Sequence, residues 1–284
     1  MLGHQLMLGL QDRHEVRVTL HGPMAAYSQY GMFHGGNSFA NVNVRDTERI
    51  LEVMGAFRPE AVINCVGIVK QRSEAKESIP SLEINSVLPH RLRLICASAG
   101  ARLVHLSTDC VFNGRRGLYR QTDPGDAEDL YGLSKYLGEV AEAPAITIRL
   151  STIGLELGRK HGLVEWFLAQ RGTIRGFTRA IYTGVITAEL PRIVEHVLER
   201  EPDLHGLWQV ASEPISKYDL LCRLSVLLDR SDVTIFPDDQ FHCDRSLDGA
   251  AFAERTGYRV PDWDQMLQKL TTQIQERGTL YEAT

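Results

Sequence analysis

Short apolar runs alternate with amphipathic helical patterns through the first half of the chain, and this alternation constrains the fold most. Residues 16–20, 61–65, 103–106 and 146–150 each have the length and apolar content of a buried strand. Helical patterns separate these runs, and one of them follows Asp46, a residue type that caps helices well. The alternation predicts an α/β fold of the Rossmann type, with a doubly wound parallel sheet and helices on both faces.

Beyond residue 152 the alternation fades and helical patterns dominate. We therefore predict a dinucleotide-binding domain over residues 1–152, with residues 187–212 returning to its sheet. A smaller α+β substrate-binding domain is predicted over residues 153–186 and 213–284. Helices in this half are predicted at residues 163–170, 188–200, 216–228, 250–257 and 263–276.

Composition excludes several classes of function. The 284-residue chain carries a net charge of −5, so it offers no basic face for nucleic acid. No run of about 18 apolar residues is present, which argues against a membrane span. The five cysteines show no CxxC spacing and the ten histidines no HxxxH spacing, so we expect no metal. These features predict a reduced, cytoplasmic enzyme.

Polar residues stand where the third apolar run ends. Ser107, Thr108 and Asp109 follow it directly. Ligands of open parallel sheets bind beyond the carboxyl ends of the strands, so these side chains are candidates for substrate or cofactor contact.

A tyrosine and a lysine follow at helical spacing. Tyr131 and Lys135 are four residues apart and would share one face of a helix. A nearby ammonium favours the phenolate and so lowers the pKa of a tyrosine. Thr108 could then hold a substrate oxygen while Tyr131 delivers or removes its proton. Alone, the spacing also fits a half-buried tyrosine beside a solvated lysine, so the strand-end hydroxyls are needed to support the prediction.

The same residues resemble a known family. Residues 107–114, STDCVFNG, and 131–139, YGLSKYLGE, resemble the STDYVFDG and YGxSKxxGE motifs of the extended short-chain dehydrogenase/reductases, most closely the dTDP-4-dehydrorhamnose reductase group. The resemblance implies a catalytic set of Thr108, Tyr131 and Lys135. It also implies NAD(P)H-dependent reduction of a 4-keto-6-deoxy nucleotide sugar, which would feed the synthesis of cell-surface polysaccharide.

Further site residues follow from the resemblance. Residues 243–248, CDRSLD, are similar to the RPxxSxLD substrate segment, so Arg245 and Asp109 are the expected substrate contacts. Asn85 is expected to support Lys135 through water. Asn64 is expected to pass beneath the cofactor, and the alternative is a capping residue at a strand end. The implied cofactor contacts are Gly3, Asn43, Asn64, Val66, Gly67, Asn85, Ser107, Tyr131 and Lys135.

The beginning of the chain departs from the family pattern. Residues 2–6, LGHQL, match only the tail of the family's GxxGxLGHQL turn, so the first strand and the first two glycines are absent. One interpretation is a mis-assigned start or a shortened chain, and the other is a protein that has lost its pyrophosphate cradle. We favour the first, because that strand lies centrally in a doubly wound sheet. We expect the native product to carry an N-terminal extension with a strand and GxxG.

The cofactor preference rests on the second strand. NAD-preferring enzymes often place a carboxylate there against the ribose hydroxyls. The chain instead has Thr19, Leu20, His21 and Gly22, which favours NADP(H) over NAD(H).

Other functions of this fold stay open. An epimerase is one alternative, and a non-catalytic regulatory subunit like the beta subunit of methionine adenosyltransferase is another. A dehydratase is disfavoured because Cys110 stands where such enzymes have a catalytic glutamate. Residues 179–187 replace the family's DQxGxPT segment, so the sugar, the nucleotide and the oligomeric state, a homodimer being one possibility, are left open.

Overall fold

The central feature of the fold is a four-stranded parallel sheet. The computed structural model describes residues 1–69, 77–158 and 160–282, with the side chains of 278–282 left aside. Buried side chains fill the two middle strands, as the apolar runs of the sequence predict. In spatial order the strands are β10 (Gly206–Gln209), β5 (Ala145–Arg149), β4 (Arg102–Leu106) and β3 (Ala61–Asn64). The chain returns to this sheet at residues 206–209, where β10 pairs with β5 in parallel register.

A second, smaller parallel sheet precedes it in the chain. Strands β1 (Val18–Thr19) and β2 (Ser38–Phe39) pair with each other. Among the described residues no strand joins β1 to β3, so the parallel strands of the first half fall into two sheets.

Helices of the first half begin and end at the residues that local chemistry selects. Asp46 caps the second helix as predicted, since its side chain accepts a hydrogen bond from the Arg49 amide. Gly100, with φ of 67°, ends the fourth in the left-handed conformation that glycine adopts most easily. A π-helical segment, Leu82–Val87, joins the third helix to the fourth. The helices are α1 (Leu2–Leu10), α2 (Thr47–Phe57), α3 (Ser78–Ser81), α4 (Leu88–Ala99) and α5 (Leu130–Leu137).

The predicted helices of the second half are confirmed, and the last is longer than predicted. They are α6 (Leu163–Leu168), α7 (Leu190–Arg200), α8 (Lys217–Leu227), α9 (Ala250–Thr256) and α10 (Trp263–Glu282). The strands between them mostly have two or three residues, too few to show an alternating pattern. They are β6 (Thr152–Ile153), β7 (Gly172–Phe177), β8 (Ala180–Tyr182), β9 (Val185–Ile186), β11 (Ile215–Ser216), β12 (Val233–Asp238) and β13 (Cys243–Asp244).

One hydrophobic core underlies both halves of the chain. It contains Leu6 of α1, Ile146 of β5, Val194 of α7, Leu220 of α8 and Met266 of α10. Contact between α1 and α7 is close, because a Cβ at Gly9 would approach a Pro191 side-chain carbon to 2.4 Å. The core therefore fixes the carboxyl ends of the central strands relative to the elements of the second half.

Candidate active site

The polar residues after β4 form a buried cluster. The Thr108 hydroxyl donates to Asp109 Oδ1 at 3.0 Å and accepts from the Cys110 amide at 3.1 Å. Asp109 is 7% exposed, and burial raises the pKa of its carboxyl. The charge of Arg245 opposes this rise, and so do hydrogen bonds from three side chains, those of Thr108, Cys110 and Ser151.

Helix α5 brings Tyr131 and Lys135 to this cluster. Asp129 caps the helix by accepting from the Gly132 amide, which fixes where its first turn begins. A Cβ at Gly132 would lie 2.2 Å from the Cys110 carbonyl oxygen, so only glycine lets the helix approach this closely. The spacing of the motif therefore places Tyr131 and Lys135 on the helix face next to the strand end.

The pKa of Tyr131 moves in the direction opposite to the prediction. Burial raises it, and the neighbouring Cys110 and Asp109 raise it further, while a hydrogen bond with Thr108 acts in the lowering direction. The lowering that the Lys135 pairing predicted is therefore not found. A raised pKa keeps this phenol protonated at neutral pH, as a proton donor must be.

Lys135 is buried at the end of β4. Its Nζ donates to the Leu106 carbonyl oxygen at 2.8 Å, and the residue is 5% exposed. Burial lowers the pKa of Lys135 to about 8, against the charges of Glu139 and Cys65, which favour the ammonium. The ammonium is thus close to its titration point at neutral pH.

Glu139, the last residue of the YGLSKYLGE motif, joins α5 to both central strands. Its carboxylate accepts from Arg149 Nε at 2.8 Å and Nη2 at 2.7 Å, and the Ser107 hydroxyl donates to it at 2.7 Å. Arg149 is 1% exposed, so this is a buried, bidentate ion pair. Ser107 therefore contacts Glu139 in this structure. The sequence showed the glutamate but not its partners, which are distant in the chain.

Arg149 also belongs to a stack of four side chains. Phe112 and Tyr119 lie face to face with ring centroids 4.1 Å apart. Arg149 lies 5.0 Å from the Phe112 centroid and Arg116 lies 4.8 Å from the Tyr119 centroid. Because each ring has one face covered by the other ring, the two guanidinium groups occupy the outer faces. The stack links the buried end of β5 to the surface loop that precedes α5.

The two predicted substrate contacts are brought together. Arg245 follows β13, and its Nε donates to the Phe112 carbonyl oxygen at 2.8 Å. Its Nη1 lies 3.9 Å from Cys110 Sγ, beside Asp109. A guanidinium and a carboxylate therefore flank Thr108, although Arg245 is more than 130 residues away in the chain.

Two predicted cofactor residues hold the backbone after β3. Asn64 is 2% exposed, accepts from the Val66 amide at 3.2 Å and contacts His105 Nδ1 at 3.1 Å, which matches the capping alternative. Asn85 donates to Ile68 O and to Ser134 Oγ, each at 3.0 Å, and accepts from the Ile68 amide. Asn85 thus supports helix α5 through Ser134 directly, whereas support of Lys135 through water was predicted.

The remaining predicted cofactor residues surround the start of α1. A Cβ at Gly3 would lie 3.4 Å from Cys65 Sγ, so the first turn of this nine-residue helix faces the end of β3. Val66 is exposed there and Gly67 is partly exposed. Asn43 is exposed in the turn before α2, where its side chain accepts from the Arg45 amide. This region combines the N-terminus of a helix, the exposed backbone at residues 66 and 67, and the Lys135 ammonium. Together these features fit a dinucleotide, whose pyrophosphate is anionic.

One group of side chains suited to metal binding occurs within the described parts of the chain. Donor atoms of His14, Glu195 and Glu199 lie within 4.8 Å of one another. Glu195 already pairs with Arg13 at 2.6 Å and with His14 at 3.1 Å. Ordinary ion pairing therefore accounts for the grouping.

Within residues 1–69, 77–158 and 160–282, every helix is too short or too polar to cross a membrane.

Three curated proteins illustrate the relatives of the chain. A spore coat polysaccharide biosynthesis protein of Bacillus subtilis is 34% identical over 39% of this chain and 39% of its own length. A probable low-salt glycan biosynthesis reductase of Haloferax volcanii is 32% identical over 61% and 60%. The methionine adenosyltransferase 2 subunit beta of Danio rerio is 24% identical over 66% and 61%. The chain thus spans less than two thirds of each of these relatives.

Solved structures share the fold. A dTDP-4-dehydrorhamnose reductase of Bacillus anthracis in complex with NADP superposes with a TM-score of 0.73 at 18% identity, over 92% of this chain and 100% of that one. The Bordetella bronchiseptica enzyme WbmG in complex with NAD gives 0.78 at 16% identity, over 98% and 92%. The predicted Rossmann-type α/β fold is confirmed.

A family match covers the part of the chain that carries Thr108, Tyr131 and Lys135. The RmlD substrate binding domain family matches residues 2–156, which include α1, the strand-end cluster and the whole YGLSKYLGE motif. This match covers more than half of the chain and confirms the resemblance that the two motifs indicated. The protein therefore belongs to the RmlD substrate binding domain family.

Proposed function

We propose that this protein is an NAD(P)H-dependent reductase of a 4-keto-6-deoxy nucleotide sugar. The observation that carries the proposal is the convergence of Thr108, Tyr131 and Lys135 at the carboxyl end of β4. Relatives named for glycan and spore coat polysaccharide biosynthesis support a role in making surface polysaccharide. The family match supports the substrate class.

The proposed chemistry assigns one task to each residue. A bound nicotinamide supplies the hydride that reduces the carbonyl carbon. Tyr131 gives its proton to the carbonyl oxygen, and its raised pKa keeps that proton in place until charge develops on the oxygen. Thr108 orients the same oxygen by hydrogen bonding. Lys135 holds the ribose, close to the end of the strand on which Thr108 lies.

Cofactor choice is the finer part of the proposal. We propose NADP(H) over NAD(H), because residues 19–22 place no carboxylate after β1 to bind a free ribose hydroxyl. The neighbours of the fold include complexes with either cofactor. A comparison of kcat/KM for NADPH and NADH decides this point, and equal values would contradict it.

The test of the function is a substrate panel. The purified protein is mixed with 4-keto-6-deoxy sugars linked to different nucleoside diphosphates, and the loss of NADPH absorbance is followed. We expect turnover of at least one member. Isomerisation of a 4-hydroxy nucleotide sugar without net cofactor oxidation would instead indicate the epimerase alternative.

A regulatory subunit is the second candidate, because the methionine adenosyltransferase beta subunits are among the relatives. A binding partner has no need of a proton donor beside a buried lysine, so the geometry favours the reductase. Fluorescence titration with NADPH separates the two when it is combined with the panel. Weak cofactor binding without any turnover would favour the regulatory role.

The proposal also covers the domains of the protein, its cellular location and its oligomeric state. We propose that residues 1–152 with 187–212 bind the cofactor and that residues 153–186 and 213–284 bind the sugar. All five cysteines, which lie in the described part of the chain, are thiols, in keeping with a reducing cytoplasm. Exposed apolar side chains at Ile79, Leu133 and Leu137 provide a surface on which a homodimer could form.

A further inference from the structure

Tyr182 lies next to the strand that carries Arg245. It ends β8, the middle strand of a three-stranded sheet between β11 and β13. The Arg245 amide donates to the Ile181 carbonyl oxygen at 3.0 Å, so β8 directly positions this predicted substrate contact. Residues 179–187 are also where the sequence departs from the DQxGxPT segment of the related reductases. A role of Tyr182 would therefore lie outside that family segment.

The ring of Tyr182 is held firmly. It packs edge-to-face against Trp263 at 5.7 Å, and Trp263 Nε1 donates to the Glu213 carbonyl oxygen. A Cβ at Gly184 would lie 2.6 Å from the ring, so glycine is needed beneath it. Tyr182 is 7% exposed. Its hydroxyl therefore has a defined position and little contact with solvent.

That hydroxyl has no hydrogen-bond partner among the described residues. A buried polar group without a partner is unfavourable for folding, and native proteins contain few of them. Burial raises the pKa of Tyr182, and the charge of Asp109 acts in the same direction. The geometry connects the two residues through Ser151. A Cβ at Gly184 would lie 2.6 Å from the Tyr182 ring and 3.3 Å from the Ser151 carbonyl oxygen, which accepts from the Val185 amide. The side chain of Ser151 bonds Asp109.

The hydrogen bonding of Asp109 must change during the proposed reaction. Its carboxylate now accepts from Thr108 Oγ1, the hydroxyl that is expected to orient the substrate carbonyl. When Thr108 turns to the substrate, a buried carboxylate loses one of its donors. The loss of such a bond to a charged group is costly inside a protein.

We propose that Tyr182 is a positioning residue for substrate binding, whose buried and unpartnered hydroxyl donates to Asp109 when Thr108 turns to the carbonyl oxygen of the sugar. Asp109 thereby keeps the orientation in which it accepts from a hydroxyl of the sugar ring. This inference rests on the proposed reductase function and adds a determinant of its sugar specificity.

The test is Tyr182→Phe, which keeps the ring packing and removes only the hydroxyl. We expect kcat/KM for the nucleotide sugar to fall by roughly 10-fold or more, the usual effect of losing one hydrogen bond to a charged group. The KM for NADPH should not change. The melting temperature should stay level or rise, because the hydroxyl has no partner to lose. A lower melting temperature with unchanged kinetics would overturn the inference.

Tyr258→Phe is the matched control. The Tyr258 hydroxyl donates to Glu189, so its removal should lower the melting temperature and leave the kinetics unchanged. A double-mutant cycle with Asp109→Asn then tests whether Tyr182 acts through Asp109. If it does, the double variant loses no more activity than Asp109→Asn alone. If the losses of activity in the two single variants add fully in the double variant, Tyr182 does not act through Asp109.

A second readout tests the role of Tyr182 even if the proposed reductase function is wrong. If the panel gives no turnover, the shift in melting temperature caused by each nucleotide sugar serves as the readout. A shift in the natural protein that shrinks in Tyr182→Phe supports the inference although reduction fails. An equal shift in both proteins, or no shift in the natural protein, overturns it. Normal turnover of the panel by both proteins overturns it while the reductase function stands.

Discussion

At the scale of single residues, Tyr131 holds its proton more tightly than a free phenol, because burial raises its pKa. Tyr131→Phe removes the proton donor and preserves the ring. Turnover should fall by at least ~100-fold, the lower end for general acid catalysis. Steady-state rates on the best substrate of the panel provide the measurement. Tyr136→Phe, five positions along the same helix, is the control and should keep its activity. An equally active Tyr131→Phe would remove Tyr131 from the mechanism.

Lys135 gives a prediction that depends on pH. Burial lowers its pKa to about 8, so the ammonium loses its proton as the pH rises through that value. NADPH affinity should therefore weaken between about pH 7 and 9 in the natural protein. In Lys135→Met the affinity should be weaker at pH 7 and should lack this pH dependence. Fluorescence titrations across the range measure both, and a variant that keeps the dependence would assign it to another group.

The sequence was sufficient for part of the site. Thr108, Tyr131 and Lys135 could be predicted because one strand end and one helical spacing place them together. The proposed role of Tyr182 could not be predicted, because it depends on the pairing of β8 with the Arg245 segment, more than 60 residues away in the chain. The pKa of Tyr131 was predicted in the wrong direction, since residue spacing shows the nearby lysine but not the burial that opposes its effect.

At the scale of elements, Glu139 connects the end of α5 to β4 and β5 through hydrogen bonds from Ser107 and Arg149. Its partner Arg149 has a side chain that is only 2% exposed. Glu139→Gln would leave the guanidinium buried without a matching charge, at a cost of about 3 to 5 kcal/mol in the free energy of unfolding. Urea denaturation measures this loss.

Glu128→Gln is the matched control for that change. Glu128 pairs with Arg115 on the surface, where both side chains are more than 60% exposed. Exposed ion pairs contribute little, so this variant should stay within about 0.5 kcal/mol of the natural protein. Equal losses in the two variants would mean that the buried pair has no special role.

Helices were predictable from the sequence to a greater degree than strands. The helix α7 shows a clear apolar face, and the N-cap at Asp46 is visible in the sequence. Strands such as β8 and β13 have three and two residues, and their pairing joins distant segments. Local patterns cannot specify such pairing, because it is decided by which surfaces meet in the folded chain.

At the scale of the whole molecule, two buried histidines link stability to pH. Burial lowers the pKa of His4 to about 4 and that of His105 well below its ordinary value. An unfolded chain binds a proton on each histidine near pH ~6.5, whereas the folded protein does not. The unfolded state therefore gains protons as the pH falls from about 6.5, and stability is lost over that range.

The expected size of this loss can be measured. Each histidine lowers the free energy of unfolding by up to about 1.4 kcal/mol per pH unit. Asp109 acts in the opposite sense, because its raised pKa favours the folded state at lower pH. Urea denaturation between about pH 7 and 5 gives the slope, and His4→Gln should reduce it. An unchanged slope in His4→Gln would show that His4 titrates normally.

The four-layer stack of Arg149, Phe112, Tyr119 and Arg116 also gives the protein an optical signature. A tyrosine ring fixed against a parallel phenylalanine lies in a strongly asymmetric environment and should contribute to the near-ultraviolet circular dichroism. One guanidinium of the stack belongs to Arg149 of β5 and the other to Arg116 of the surface loop. The signal therefore reports whether that loop is packed against the sheet. The packing of this loop beside the strand-end cluster can thus be followed by circular dichroism, without substrate and without turnover.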